Sequence, residues 1–280
     1  MQLLIADSGS TKTDWAVIPA NGGVTHLQTP GLNPYFTSAG ELTDVVTDQL
    51  LPRLNAGQAF EVYFYGAGCG NLSYCELFQS VFETLGAEKA FVETDLLGVA
   101  RAALGLNEGI AGILGTGANA GFFSRGSLVK SAPSTGYVLG DEGSAAWIGK
   151  HLLAAYLRKE LPEEIYNSMK ETLQLDDKKI LYHVYSMERP NRYVAGMAGI
   201  LKDFQEHPWV LDMLQTGFSG FFKNYIKILG PYSEAPVVLA GTVANIYSNE
   251  LRAISSREGY PHFSTLPSVI EGLVKFHLSC

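Results

Sequence analysis

Three short loops of glycine and small polar residues each follow an apolar run: Asp7-Ser8-Gly9-Ser10-Thr11-Lys12-Thr13, Gly115-Thr116-Gly117-Ala118-Asn119-Ala120-Gly121, and Gly241-Thr242-Val243-Ala244-Asn245. Glycine at such turns admits positive φ and lets backbone N–H groups approach a phosphate, while Ser and Thr hydroxyls add donors. A hairpin turn or a helix start would explain any one of these loops. Three of them, each after a strand, shift the weight toward phosphate binding. Acidic residues at strand ends are the second chemical feature. Asp7 closes the first strand, Asp95 closes Ala90 to Val92 with its Glu-Thr extension, and Asp141 precedes Glu142 and Gly143 at a helix start. Asp95 and Asp141 could each be an ordinary helix cap. Phosphoryl transfer, however, needs a cation near the phosphates, a carboxylate to take the acceptor's hydroxyl proton, and groups that orient the acceptor. These three aspartates could fill those roles. The familiar nucleotide motifs are missing: there is no GxxxxGK[ST], and neither Gly66-Ala67-Gly68 nor Gly115-Thr116-Gly117 continues into the dinucleotide spacing.

The elements that must hold these groups read as two cycles. Leu3 to Ala6, Asp14 to Ile18 and Val24 to Leu27 are predicted strands, the last two joined by a tight hairpin at Asn21-Gly22, so the chain opens as an antiparallel meander. Ser38 to Leu54 has helical spacing, followed by the strand Val62 to Tyr65, the helix Tyr74 to Leu85 and the strand Ala90 to Val92. Right-handed crossovers extend the meander into a mixed sheet. The pattern restarts near Gly109 with Ile110 to Leu114, Gly121 to Phe123, and Leu128 to Val129 around an Arg125-Gly126 turn. Predicted helices then cover Gly143 to Lys159, Pro162 to Thr172 and Asp176 to Met187. A long amphipathic one carries Trp209, Met213, Leu214, Phe218, Phe221, Tyr225 and Ile228. Val237 to Ala240 is a buried-looking strand, then come a helix from Val243 and a last one from Pro267 to His277. The restart suggests a duplicated α/β architecture with a cleft between halves and a boundary near Asn107.

Composition sets outer limits. The 280 residues are 46% apolar and 17% charged, a folded composition that excludes intrinsic disorder as the main state. A net charge of -8 lacks the basic footprint of a nucleic-acid binder. No apolar run approaches the length of about eighteen residues that a membrane helix needs, and no signal sequence is evident, so the expectation is a soluble cytoplasmic protein without a membrane partner. Cys69, Cys75 and Cys280 do not form a disulfide framework, and the six histidines show no zinc spacing. Gly217-Phe218-Ser219-Gly220 lacks the spacing of a hydrolase nucleophile elbow.

The segments DSGSTKTDW at Asp7 to Trp15, Thr94-Asp95, ILGTGANAG at Ile113 to Gly121, GYVLGDEGSAAWIG at Gly136 to Gly149, and VVLAGTVAN at Val237 to Asn245 resemble those of N-acetylglucosamine kinases. Those enzymes belong to the BadF/BadG/BcrA/BcrD group of the sugar kinase, Hsc70 and actin superfamily. The ordered set runs from residue 7 to 245, and GDEGSAAWIG is its most diagnostic part. The resemblance implies a duplicated ribonuclease-H-like, actin-like ATPase fold. An acceptor and phosphate domain would span 1–107 plus 267–280, a nucleotide-binding domain 108–266, and ATP and Mg²⁺ would bind in a cleft. It places Asp7, Gly9, Ser10, Thr11 and Lys12 on the β- and γ-phosphates, with Asp7 toward the metal through water. Gly115, Thr116 and Gly117 become the other phosphate clamp, and Gly241, Thr242 and Ala244 lie against the adenosine part. Asp95 becomes the general base for a sugar 6-hydroxyl, with Asn33, Asn119 and Asp141 completing the sugar set. A homodimer is also implied. Ser8 departs from the pattern, standing where many relatives have glycine.

Two other functions compete. An ATPase that activates a 2-hydroxyacyl-CoA dehydratase would need an iron-sulfur cluster held by thiolates, and Cys69 and Cys75 do not lie in the expected cluster motif. A non-catalytic sugar sensor of repressor type would carry a DNA-binding helix-turn-helix, for which Met1, opening the first strand, leaves no expected place.

Overall fold

Apolar strands and the crossovers between them build two five-stranded mixed sheets of one topology in a computed structural model that describes residues 1–279. Cys280 lies outside the described residues. The first sheet contains β1 (Gln2–Ser8), β2 (Lys12–Ile18), β3 (Thr25–Pro30), β4 (Phe60–Gly66) and β5 (Lys89–Thr94), in the order β3-β2-β1-β4-β5. β1, β2 and β3 are the expected antiparallel meander, and β4 and β5 join β1 in parallel. The near-continuous apolar runs of β1 and β4 suit central strands covered on both faces. Trp15, Phe64, Phe78 and Phe82 form an aromatic cluster on one face. On the other, Ile5, Ala16 and Tyr65 meet Ile270, Leu273 and Val274. Crossovers are made by α1 (Ala39–Val45) and α2 (Leu72–Thr84), and α3 (Asp95–Leu104) leads from β5 to the second sheet. The predicted helix Ser38 to Leu54 is α1 followed by a π-helical turn, Val46–Leu50, and a 3-10 turn, Leu51–Arg53.

The second sheet contains β6 (Gly109–Leu114), β7 (Ala118–Ser124), β8 (Ser127–Ser131), β9 (Val237–Ala240) and β10 (Phe263–Leu266), in the order β10-β9-β6-β7-β8. In both sheets the first strand is central, with the second and third on one side and the fourth and fifth on the other. That repeated order is the duplication expected from the sequence. Its helices are α4 (Gly136–Leu139), α5 (Ala145–Arg158), α6 (Glu163–Leu173), α7 (Asp177–Ser186), α8 (Pro190–Gly196), α9 (Pro208–Phe221), α10 (Thr242–Ile246) and α11 (Ser248–Arg257). The aromatic stripe of α9 is core: Met213, Leu214, Phe218, Phe221 and the following Tyr225 are buried. The chain then returns to the first unit with α12 (Val269–Ser279). Two compact units result, residues 1–107 with 125–127 and the segment from Ser268, and residues 108–124 with 128–267.

Some local expectations need correcting. The link from Pro19 to Val24 is longer than a two-residue hairpin: Gly22 N–H turns back onto Pro19 O at 3.1 Å, and Gly22 and Gly23, both at positive φ, lead on to β3. The two-residue turn is instead Arg125-Gly126, with both residues at positive φ as a type I′ turn requires. The helical stretch Pro190–Asp203 and strand β10 were not expected. No helix among the described residues is long and apolar enough to cross a membrane.

Candidate active site

In the first unit, parallel registry gathers the chemistry at one end of the sheet. Ser8 lies opposite Gly66, and Gly66 opposite Thr94, so Asp7, the Gly66–Gly68 turn and Asp95 all sit at carboxyl ends of adjacent strands. Ligands of open α/β sheets characteristically bind there. Strand spacing puts the backbones of Asp7 and Asp95 roughly 10 Å apart. The loop between β1 and β2 closes on itself through Gly9 N–H donating to Lys12 O at 2.9 Å. No partner among the described residues takes the N–H groups of Ser10 and Thr11. Gly31 is laid against this loop: its N–H donates to Thr11 O at 3.0 Å, and a Cβ there would stand 2.6 Å from Gly9 O. That contact brings Asn33 to the site. Asn33 is buried, its Oδ1 accepts Tyr35 N–H at 3.0 Å, and Gly68, at positive φ, packs on the same side chain.

Ser8 is held in the core. Its buried Oγ lies 2.7 Å from Thr13 Oγ1 and accepts Leu32 N–H at 3.1 Å, so the hydroxyl staples the Gly31–Asn33 segment to β1. Lys12 is half-exposed and pairs with Asp14 at 2.8 Å.

In the second unit the other two glycine loops meet. Gly241 has φ +110°, and a Cβ there would collide with Leu114 O, with Gly115 N close behind. Gly115 N–H donates to Gly117 O at 3.0 Å, which repeats the closure of the first loop. Thr116 and Gly117 keep N–H groups without a partner among the described residues. The first turn of α5 receives the loop's carbonyls, with Ala145 N–H donating to Gly115 O and Ala146 N–H to Thr116 O. Asp141 lies beside the same loop. Its Oδ1 accepts Ala118 N–H at 3.2 Å, and its Oδ2 is 3.0 Å from where a Gly117 Cβ would be. Asn119, next along β7, turns its Oδ1 to Ala120 N–H at 2.9 Å.

The carboxylates are electrostatically uncomfortable. Burial lifts Asp7 to about 7, helped by the negative charges of Asp95 and Asp14 and opposed by Lys12. Burial lifts Asp95 to about 6 against the pull of the Leu96 N–H, which its Oδ1 accepts at 2.9 Å. Asp141 is also raised by burial, with the Ala118 hydrogen bond working against it. Carboxylates buried without a matching cation suit a hard divalent ion and are displaced toward the pKa of working acids and bases. Among the described residues no group of three or more His, Cys, Asp or Glu converges as a metal cage. Mg²⁺ does not need one, since it is commonly bound by one or two carboxylates, waters and substrate phosphates. Asp7 fits that pattern. The thiols of Cys69 and Cys75 are both raised by burial, and Cys75 Sγ donates to Cys69 O, so neither is a ready thiolate ligand.

Neither aspartate is the cap it could have been. Thr94 caps α3, its Oγ1 accepting Leu97 N–H, and Asp95 is the first residue of the helix. Ser144 caps α5, accepting Trp147 N–H, while Asp141 stands at φ +57° in the turn before it. A non-glycine residue held at positive φ is strained and often marks a functional position. Sequence reasoning missed the group that fixes this turn: Asp141 N–H donates to Tyr225 Oη at 2.8 Å. Tyr225 gave no signal beyond its place in the aromatic stripe.

No family model and no curated protein matches the chain. Solved structures do. A Porphyromonas gingivalis protein provisionally named an N-acetylglucosamine kinase is 30% identical over 99% of this chain and 99% of that one, with a TM-score of 0.89. A Chromobacterium violaceum protein, provisionally named likewise, is 18% identical over 98% of both chains with a TM-score of 0.79. A Streptomyces griseus ROK family glucokinase, in complex with glucose and AMPPNP, is 16% identical over 99% of this chain and 98% of that one with a TM-score of 0.58. At those lower identities the last two bear on the fold alone. With two sheets of one topology, paired phosphate-type loops, strand-end aspartates and a 30% identical relative of full length, the chain belongs to the N-acetylglucosamine kinase-like family of sugar kinases in the actin-like ATPase superfamily.

Proposed function

We propose that the protein phosphorylates an amino sugar with ATP, N-acetylglucosamine at its 6-hydroxyl being the simplest acceptor. The observation that carries this reading is Asp95, a partly buried carboxylate at the end of β5, raised to about 6, in one sheet with a strand-end Asp7 and a loop with free N–H groups. A base with a pKa near working pH takes a hydroxyl proton most effectively. In the first unit, Gly9, Ser10, Thr11 and Lys12 bind the β- and γ-phosphates, and Asp7 holds Mg²⁺ through water. Bound there, Mg²⁺ supplies charge neutralisation to the phosphates. In the second unit, Gly115, Thr116 and Gly117 clamp phosphate, and Gly241, Thr242 and Ala244 support the adenosine part. Asn33 and Asp95, with Asn119 and Asp141, offer the sugar acceptors and donors of fixed geometry. As the acceptor oxygen bonds to the γ-phosphorus and the bond to the bridging oxygen breaks, Asp95 takes the hydroxyl proton. The 1–107 and C-terminal segment is thus read as the acceptor and phosphate domain, and the remainder as the nucleotide domain. We further propose a cytoplasmic homodimer.

The test is coupled ADP release with a panel of hexosamines. Acceptor-dependent turnover in the wild type, lost by roughly 10²- to 10⁴-fold in Asp95→Asn with nucleotide binding retained, is the expected result. Full turnover by Asp95→Asn would remove the base assignment. ATP hydrolysis indifferent to every sugar would remove the kinase reading.

A further inference from the structure

Within the first unit, a cavity of about 310 Å³ lies at the C-terminal ends of α3 and α12, lined chiefly by Arg101, Ala102, Leu106, Lys275, Phe276 and Ser279. It is an open depression on the surface, so a ligand there would keep one side in water. The two helices approach closely here because Gly272 rests on Ala102, where a Cβ would stand 2.6 Å from Ala102 O. Asp95 begins α3 and this cavity ends it, so about 15 Å of helix separates the cavity from the strand-end aspartates.

Arg101 is incompletely used. Its Nη1 donates to Tyr65 Oη at 2.8 Å, and its guanidinium carbon is 5.6 Å from the ring centres of both Tyr65 and Phe276. Its Nε is buried without a hydrogen-bond partner. Among the described residues no carboxylate pairs with Arg101 or with Lys275, whose side chain is exposed. The unmatched charge is felt nearby: burial first, then Arg101, pushes His277 down to about 4. Among the described residues Nη2 makes no hydrogen bond, so the guanidinium keeps a charged donor for an anion beside the one given to Tyr65.

Two helix C-termini each bring about half a negative charge, which alone would repel an anion. Two full positive charges on Arg101 and Lys275 outweigh them. Leu106 and Phe276 add an apolar wall, of which Leu106 is 62% exposed. We propose that the cavity is a second ligand site, taking a small carboxylate carried on an apolar body, its charge between Arg101 and Lys275 and its body against Leu106 and Phe276. The assignment does not depend on the kinase reading.

The test titrates the 280-residue protein with sodium benzoate by calorimetry and by ¹H–¹⁵N spectra, with benzamide, phenyl phosphate and inorganic phosphate in parallel. The expected result is saturable benzoate binding with a dissociation constant on the order of 1 mM or tighter. Shifts should be confined to the ends of α3 and α12, and benzamide should not bind. Lys275→Gln should weaken benzoate about five- to tenfold, and Leu106→Asp should weaken it further. Both positions are exposed, so folding should survive. Benzamide binding as well as benzoate, an unchanged affinity in Lys275→Gln, or displacement by an ATP analogue would overturn the proposal. Tighter binding of either phosphate would overturn the choice of carboxylate.

Discussion

Removing the charge of Asp7 should stabilise the ligand-free protein at alkaline pH. Asp7 is lifted from 3.8 to about 7, chiefly by burial and next by the charge of Asp95. The folded state therefore holds a proton on Asp7 that the unfolded chain releases near pH 4. Stability from this group is full below about pH 4, declines as pH rises toward 7, and is flat above it, since the slope follows the excess of protons bound by the unfolded over the folded state. At about 1.36 kcal/mol for each pKa unit, full burial would cost roughly 4 kcal/mol at pH 8, and the solvent still reaching this half-open carboxylate brings the expected value to about 2–4 kcal/mol. Asp7→Asn keeps the shape and removes the charge. Urea unfolding followed by circular dichroism should show the variant more stable than wild type by about that amount at pH 8, with the gain shrinking to nearly nothing at pH 4. Asp14→Asn, at a half-exposed ion pair with Lys12, should change stability by at most about 1 kcal/mol. An Asp7→Asn variant less stable than wild type at both pH values would refute the reasoning.

Further perturbations address the loops and their supports. Tyr225→Phe removes the oxygen that accepts Asp141 N–H and should raise the sugar KM several-fold while leaving the nucleotide KM unchanged, as initial-rate kinetics would show. Gly31→Ala places a Cβ 2.6 Å from Gly9 O, so nucleotide affinity measured by calorimetry should fall at least tenfold. Ser8→Ala leaves the buried Leu32 N–H with only its 3.2 Å contact to Thr13 Oγ1, and should cost about 1–2 kcal/mol in urea unfolding. Gly241→Ala, at φ +110° and against Leu114 O, should lower the melting temperature and weaken ATP binding together.

Strands were legible where they were apolar and central, as β1, β4, β6 and β9 are, because burial on both faces leaves an uninterrupted signal. β10 was not, since only Phe263 of its four residues is buried and it carries Ser264 and Thr265. The helical stretch Pro190–Asp203 was obscured by Pro190, Gly196 and Gly199, residues that usually mark breaks. Glycine loops announced themselves through composition, but the contact that brings Gly241 onto Gly115 joins distant segments and has no local signature. The same limit hid Tyr225. Its stripe correctly marks core, yet the hydroxyl at its tip reaches a turn 84 residues away. Thr94 and Asp95 show a finer ambiguity: either could cap α3, and only the hydrogen bond from Leu97 N–H decides for Thr94.

A crystal structure with N-acetylglucosamine and a non-hydrolysable ATP analogue tests the central claim most directly. The account predicts an Asp95 carboxylate oxygen within about 2.6–3.2 Å of the sugar 6-hydroxyl. A bound sugar whose 6-hydroxyl contacts another residue, with Asp95 turned away, would contradict it.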